Sequence, residues 1–446
     1  MKLKSCFLLM LIVCAFFSCS DNDDPVNLTI TPIVPDATLS LAVQTDNRVK
    51  SKGGFIEDGM VGTIAWDYQV KTLTAVVFNN NAYKPANVGV GDIAALFTSS
   101  YADPTSTPQI VGEVPSGGVF ILLIANLEDD VLNKLKESVG SSDANARLSI
   151  KEVLELATKL GNEGQEKGLT MSSQVLDVTL EPGKNFIGFG NDYALANGGK
   201  EVFGEKPVEL VRTVAAINLK GIILPKKPDT ENSEYESVSF ALDTVFVANV
   251  KSTAGLGTWS TDVTTIEHSP LTAEGKLNSD YYLAPVKYAD QTGSLKTGEA
   301  KGDDSMLNVY FESISAKDGT DLTWTNTAIP PCYVYPNQNG ETGESDLYNY
   351  TLLVLRGDYT YRIGDKTMIE KNRYYTVIVN DERSGSMKYE GSSVHKHIQR
   401  NTKYNVTLTI KGTGSSKPFD FSDFAHVAAQ VEVANWNVIK IDQPVD

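Results

Sequence analysis

Apolar residues are spaced in three ways along this chain. Near the amino end they run unbroken from Cys6 to Phe17. Through most of the remaining chain they alternate with polar residues or gather in short β-branched runs. In one stretch they recur every three or four positions. Alternation puts successive side chains on opposite faces, so Ala-Thr-Leu-Ser-Leu-Ala-Val-Gln-Thr at 37–45 reads as a half-buried strand with Leu39, Leu41 and Val43 inward. TLTAVVFN at 72–79 and GVFILLIAN at 118–126 have no polar face and read as fully buried strands. Between them and the next strands, Leu132, Leu135 and Val139 share a helical face that ends before Gly140. A Ser149–Glu152 capping box opens a second helix, whose Ile150, Val153, Ala157 and Leu160 stripe stops at Gly161.

VELVRTVAAINLKGII at 208–223 reads as the first strand of a second domain, which places a boundary near 205. Residues 252–345, rich in Gly, Asp, Thr and Ser, read as long surface loops. Strand patterns return in YNYTLLVLRGDYTYRI, YYTVIVN and KYNVTLTIKG. Chain ends are ordinarily polar and frayed. This one is not: HVAAQVEV is followed by NWNVIKI, so Trp436, Val438, Ile439 and Ile441 carry strand character almost to the terminus. Pattern alone leaves open whether that tail closes its own domain or pairs elsewhere.

The Cys6–Phe17 run follows Lys2 and Lys4, and its twelve residues fall short of the roughly 20 a spanning helix needs. Residues 1–18 therefore read as a secretory signal. Phe17-Ser18-Cys19 looks like a bacterial lipobox, which implies a lipid on Cys19. Cys6 and Cys14 leave with the signal, so Cys332 is the one remaining thiol and no internal disulfide is available. Stability must then come from burial and backbone pairing. Loss of Lys2 and Lys4 takes the formal charge from −17 to −19, an excess that repels phosphate backbones and argues against nucleic-acid binding.

Catalytic and metal chemistry find little support. The four histidines fall in no zinc spacing; His395 and His397 lack a carboxylate at a diagnostic distance in sequence. No G-x-S-x-G elbow occurs. Gly412-Thr-Gly-Ser-Ser-Lys417 lacks the phosphate-loop spacing, and Pro418 stands where a helix would have to start. No cofactor and no enzymatic activity are expected.

Several of these pieces, taken in order, resemble the Bacteroidales fimbrillins, subunits of type V pili, and among them the short-fimbria branch. They are the Cys19 lipobox, the strand ATLSLAVQT running into Arg48, VFILLIAN leading into two helices, VELVRTVAAINL, and the Val-Glu-Val-x-x-Trp tail at 431–436. The resemblance implies a mainly β chain with two tandem transthyretin-like Greek-key β-sandwich domains and a short helical insert in the first. Its segments would be a signal at 1–18, a lipidated propeptide with a removable strand at 19–48, and domains at 49–205 and 206–446. It further implies an outer-membrane lipoprotein precursor cut by an arginine-specific protease between Arg48 and Val49, with Lys50 and Lys52 as alternative sites. The strand bearing Leu39, Leu41 and Val43 would leave, and the tail with Trp436, Val438, Ile439 and Ile441 would fill the place of that strand in the next of many identical head-to-tail subunits. Anchor and tip subunits would be the other partners in the extracellular fimbrium, and an anchor or tip role is an alternative for this chain. From a different class, Trp259, Trp324 and the tyrosine-rich loops would suit a monomeric glycan-binding lipoprotein.

Overall fold

The computed structural model describes residues 35–42, 67, 69–82, 88–101, 109–141, 143–164, 166–203, 208–224, 237–248, 250, 253–257, 282–283, 331–337, 351–379, 388–389, 398–416, 427–435 and 439–440. The chain is mainly β, as its alternation foretold. The first half holds β1 (Ala37–Ala42), β2 (Thr72–Asn79), β3 (Ile93–Ser100), β4 (Gln109–Val114), β5 (Gly117–Ala125), helix α1 (Asp129–Gly140), helix α2 (Ile150–Glu155), β6 (Ala157–Lys159), β7 (Met171–Ser172), β8 (Leu176–Leu180), β9 (Gly183–Ile187), helix α3 (Asn191–Ala196), β10 (Lys200–Phe203) and β11 (Glu209–Arg212). The second half holds β12 (Ala215–Ile223), β13 (Ser237–Ala248), β14 (Thr253–Gly255), β15 (Tyr282–Leu283), β16 (Cys332–Val334), β17 (Leu352–Ile363), β18 (Lys366–Ile378), β19 (Lys388–Tyr389), β20 (Thr402–Ile410), β21 (Val427–Asn435) and β22 (Ile439–Lys440).

Two sheets build the first half. One has the order β10-β9-β1-β4; the other runs β22-β11-β7-β5-β2-β3, with β8 also on β5. The unbroken apolar character of β2 and β5 has a direct cause. Leu73, Ala75, Val77, Ile121 and Leu123 belong to the main core, while Val76, Phe78, Leu122 and Ile124 belong to a second core with Val131 and Leu135 of α1 and Val153 of α2. A sheet covered on both faces needs apolar residues at both parities.

The capping box forms as read: Ser149 N–H donates to Glu152 Oε2 at 2.8 Å, and Glu152 N–H donates to Ser149 Oγ. The helix stops sooner than its stripe suggests, at Glu155 instead of near Leu160. Ala157–Lys159 instead form β6, paired with β14, and Thr158 Oγ1 is bonded to Tyr335 Oη at 2.9 Å, so tertiary partners override the helical spacing.

In the second half the sheets run β16-β12-β20-β21-β19 and β15-β13-β17-β18. The single strand expected over 208–223 is two. β11 pairs with β7 of the first half, whereas β12 pairs with β16 and β20. The chain therefore passes between the halves at Thr213–Val214, beyond the boundary of 205 expected from the sequence, because Glu209–Arg212 complete a first-half sheet. The loops expected over 252–345 also contain structure: residues 331–337 are buried, and β16 brings Tyr335 to the joint between the halves.

Candidate assembly site

β1 is an inner strand. It pairs antiparallel with β4 from Ala37↔Val114 to Ala42↔Gln109, and parallel with β9 from Ala37↔Gly183 to Leu41↔Ile187. Ala37, Leu39 and Leu41 are buried, the two leucines fully. Thr38 and Ser40 on the other face are half-buried. Asp36 secures the entry of the strand: Ser116 donates to its carboxylate from N–H at 2.6 Å and from Oγ at 2.8 Å, which lowers the Asp36 pKa.

The place β1 occupies has a definite shape. Leu41 lies level with Ile110 and Ile187, Leu39 with Gly112 and Asn185, and Ala37 with Val114 and Gly183. Gly112 has no room for a side chain, since a Cβ there would stand 2.5 Å from the Phe97 ring. Asn185 is fully buried and donates from Nδ2 to Glu181 O at 2.7 Å, to Gly183 O at 3.0 Å and to Thr38 O of β1 at 3.4 Å. Taking β1 away would leave β4 and β9 about 10 Å apart, twice the usual strand spacing, with unpaired backbone on both sides of an apolar floor.

The other sequence-derived site residues are partly beyond view. Cys19, Val43, Arg48, Val49, Trp436, Val438 and Ile441 lie outside the described residues, as do Lys50, Lys52, Trp259, Trp324, His395 and His397. Ile439 lies in β22, level with Leu210 of β11, so the tail pairs with the first half of its own chain. β21 is held by β20 along all nine of its residues but by β19 at only Glu432 and Val433.

A second polar feature escaped the sequence reading: a buried cluster at the joint. Glu163 Oε2 accepts from Thr170 N–H at 2.7 Å, and its Oε1 accepts from Tyr335 Oη at 3.0 Å and Thr213 Oγ1 at 3.3 Å. Burial pushes the Glu163 pKa up to about 7, against those three donors. Arg400 donates to Arg212 O, Val211 O and Ser172 Oγ at 3.0–3.1 Å, and desolvation brings its pKa down to about 10. Arg212 donates to Asp67 O and to Asn401 Oδ1, and burial raises the Asp67 carboxyl to about 6. Sequence spacing held no signal for partners up to 228 positions apart.

Neither place offers catalytic machinery. Among the described residues, no group of three or more His, Cys, Asp and Glu side chains could hold a metal ion. Cys332 is buried and its thiol is pushed up to about 12, far from a reactive thiolate.

Comparison with known proteins matches this architecture. Residues 37–212 match the family model of the major fimbrial subunit protein FimA, and 361–436 match the FimA4 pilin C-terminal domain. Major fimbrium subunits FimA type-2 and type-3 of Porphyromonas gingivalis are 24% and 23% identical, over 98% of each chain. A solved structure described as a cell adhesion protein from Parabacteroides distasonis has a TM-score of 0.59 at 28% identity, covering 90% of this chain and 99% of its own. A fimbrilin from P. gingivalis has a TM-score of 0.54 at 17% identity, covering 92% and 99%. The curated P. gingivalis relatives are major fimbrium subunits, so they carry the family and not the short-fimbria branch within it. The first model begins at Ala37, the first residue of β1, and ends at Arg212, the last of β11. With both halves matched, the chain belongs to the fimbrillin family of structural fimbrial subunits, which are not enzymes.

Proposed function

We propose that this chain is the stalk subunit of a surface fimbrium that supports adhesion, made as a lipoprotein on Cys19 and polymerised by protease-triggered strand exchange. The position of β1 is the observation that carries this reading. The strand is hydrogen-bonded on both sides and fills the core with Ala37, Leu39 and Leu41, yet only five residues separate its last residue, Ala42, from Arg48. Cleavage between Arg48 and Val49 frees it from its own chain. Two buried leucines contribute about 3–6 kcal/mol of apolar transfer, enough to keep the strand in place until it is cut and to favour a replacement afterwards.

The tail suits the vacated place chemically. Ala429-Gln-Val-Glu-Val-Ala434 repeats the pattern of Ala37-Thr-Leu-Ser-Leu-Ala42, with apolar residues at alternate positions and polar ones between them. Trp436, Val438, Ile439 and Ile441 extend its apolar content. Residues 427–446 can leave as one segment, because β19 and β11 hold it by two pairs each and the long pairing with β20 is what must be given up. Head-to-tail exchange of this kind does not close on itself, so it propagates as a filament. A chain with both a removable strand and a donor tail suits the stalk, with anchor and tip subunits at its ends.

Arg48→Ala is expected to leave a lipidated monomer in the outer membrane, while wild-type fibres should begin at Val49. N-terminal sequencing of surface material run without boiling checks both points. Polymers whose chains still begin at Cys19 would refute the cleavage step. Deleting residues 436–446 should stop polymerisation while circular dichroism still reports folded halves; normal fibre growth by the truncated subunit would remove the tail from the role of donor.

A further inference from the structure

Three of the six large apolar residues exposed among the described residues, Ile363, Met368 and Ile369, cluster at the tip of the β17–β18 hairpin. The registers show where that tip points. β17 begins at Leu352 next to Thr351, whose Oγ1 accepts from Asn337; Asn337 pairs with Ile398, two residues before Arg400 at the joint. β13, antiparallel to β17, ends near the joint, where β14 pairs with β6 of the first half. Twelve residues at about 3.3 Å each carry β17 roughly 40 Å away from the joint. β20 runs the same way, from Thr402 beside the joint to Ile410.

The first half also has an end turned away from the joint. β2 starts beside Asn126, which is linked through Thr170 to Glu163, and ends at Asn79. The turn of Val90, at 63% the most exposed large apolar residue among those described, lies there, since Gly91 N–H donates to Asn79 O. So do Asp92, Glu113 and Asp177: Asn79 N–H donates to Asp92 O, Glu113 is level with Thr38, and Asp177 accepts from Asn80. β1 runs from this end, where Ala37 lies level with Val114 and Gly183, toward the joint.

We propose that these two far ends are the axial contact between successive copies of this chain: Ile363, Met368, Lys366 and Lys371 of one copy against Val90, Asp92, Glu113 and Asp177 of the next. This inference rests on the strand-exchange reading. Direction and charge both favour this occupant. A segment 427–446 released from β20 leaves the chain beyond Ile410, on the side turned away from the joint, where Gly412 and Ser415 meet Tyr375 and Tyr374, and the hairpin tip reaches past this exit. If it enters the next copy from that copy's far end, it runs as β1 did, parallel to β9 and antiparallel to β4. Side-by-side or joint-to-joint packing would not deliver it in that sense. In a chain of formal charge −17, the hairpin carries Arg356, Arg362, Lys366, Lys371 and Arg373 against Asp358, Asp365 and Glu370, a local basic excess that would face Asp92, Glu113 and Asp177 of the next copy, with Lys184 the cation level with Glu113.

The test is a disulfide cross-link in fibres of the full chain carrying Val90→Cys and Met368→Cys. After boiling without reductant, a ladder of covalent multimers is expected, collapsing to monomer when reductant is added. Lys167→Cys in place of Val90→Cys serves as the control on the joint side of the first half. Fibres that form normally and begin at Val49, yet show no more ladder than the control, overturn the axial contact and leave strand exchange standing. Wild-type chains that form no fibre at all fail the underlying reading instead. Lys366→Glu with Lys371→Glu should slow elongation several-fold at low salt, with the difference vanishing near 1 M, where screening reaches about 3 Å. Equal elongation rates at low salt would count against the contact.

Discussion

Leu39→Ala combined with Leu41→Ala should destabilise the uncleaved precursor by about 4–10 kcal/mol and leave the assembled fibre unchanged. Both side chains are fully buried in β1, and each such truncation costs about 2–5 kcal/mol through lost transfer and the cavity left behind. Denaturant unfolding of the precursor, held uncleaved by Arg48→Ala, measures the first effect. Fibres from cleaved double-mutant chains measure the second. Equal destabilisation of precursor and fibre would mean that β1 stays in place after assembly, and strand exchange would be wrong. Loss of precursor stability alone is expected only of a strand that is later replaced.

The joint between the halves supplies the other large effect. Glu163 has a folded-state pKa of about 7, raised by burial above the ordinary carboxylate value. The folded chain therefore binds the Glu163 proton more tightly than the unfolded chain does. The stability it contributes is fully present below pH ~4.5 and is lost as pH rises toward 7, by on the order of 3 kcal/mol. Asp67, raised to about 6, acts in the same direction. Thermal or urea unfolding followed from pH 4 to 8 should show this decline, and Glu163→Gln should flatten much of it. An unchanged slope in Glu163→Gln would exclude that carboxyl as its source. Arg400→Ala should cost about 3–5 kcal/mol at neutral pH, because it removes the guanidinium that spans Arg212, Val211 and Ser172 and withdraws the favourable charge from Glu163.

The strand at 37–42, the buried runs at 72–79 and 118–126, the α1 stripe and the Ser149–Glu152 cap were all legible in the chain. Each is a local pattern whose period or cap chemistry is complete within a few residues. The end of α2 was misjudged because Ala157 and Leu160 keep helical spacing while Thr158 is claimed by Tyr335 and by β14. The 208–223 segment looked continuous because Glu209–Arg212 and Ala215–Ile223 have the same apolar character, although they pair with different halves. The value of Pro331–Asn337 was hidden in a polar region of sequence, since burial of Tyr335 depends on Glu163 lying opposite.

By itself the sequence determined the mainly β character, the polarity of β1 and the strand-forming tail, because alternation and composition act over neighbouring residues. Only the tertiary structure decided that β1 is an inner strand between β4 and β9, that Gly112 yields its place to Phe97, and that Glu163, Tyr335 and Arg400 meet at the joint. Strand neighbours and buried polar partners are set by long-range pairing across a shared core, and no spacing along the chain encodes which distant residue will close a given hydrogen bond.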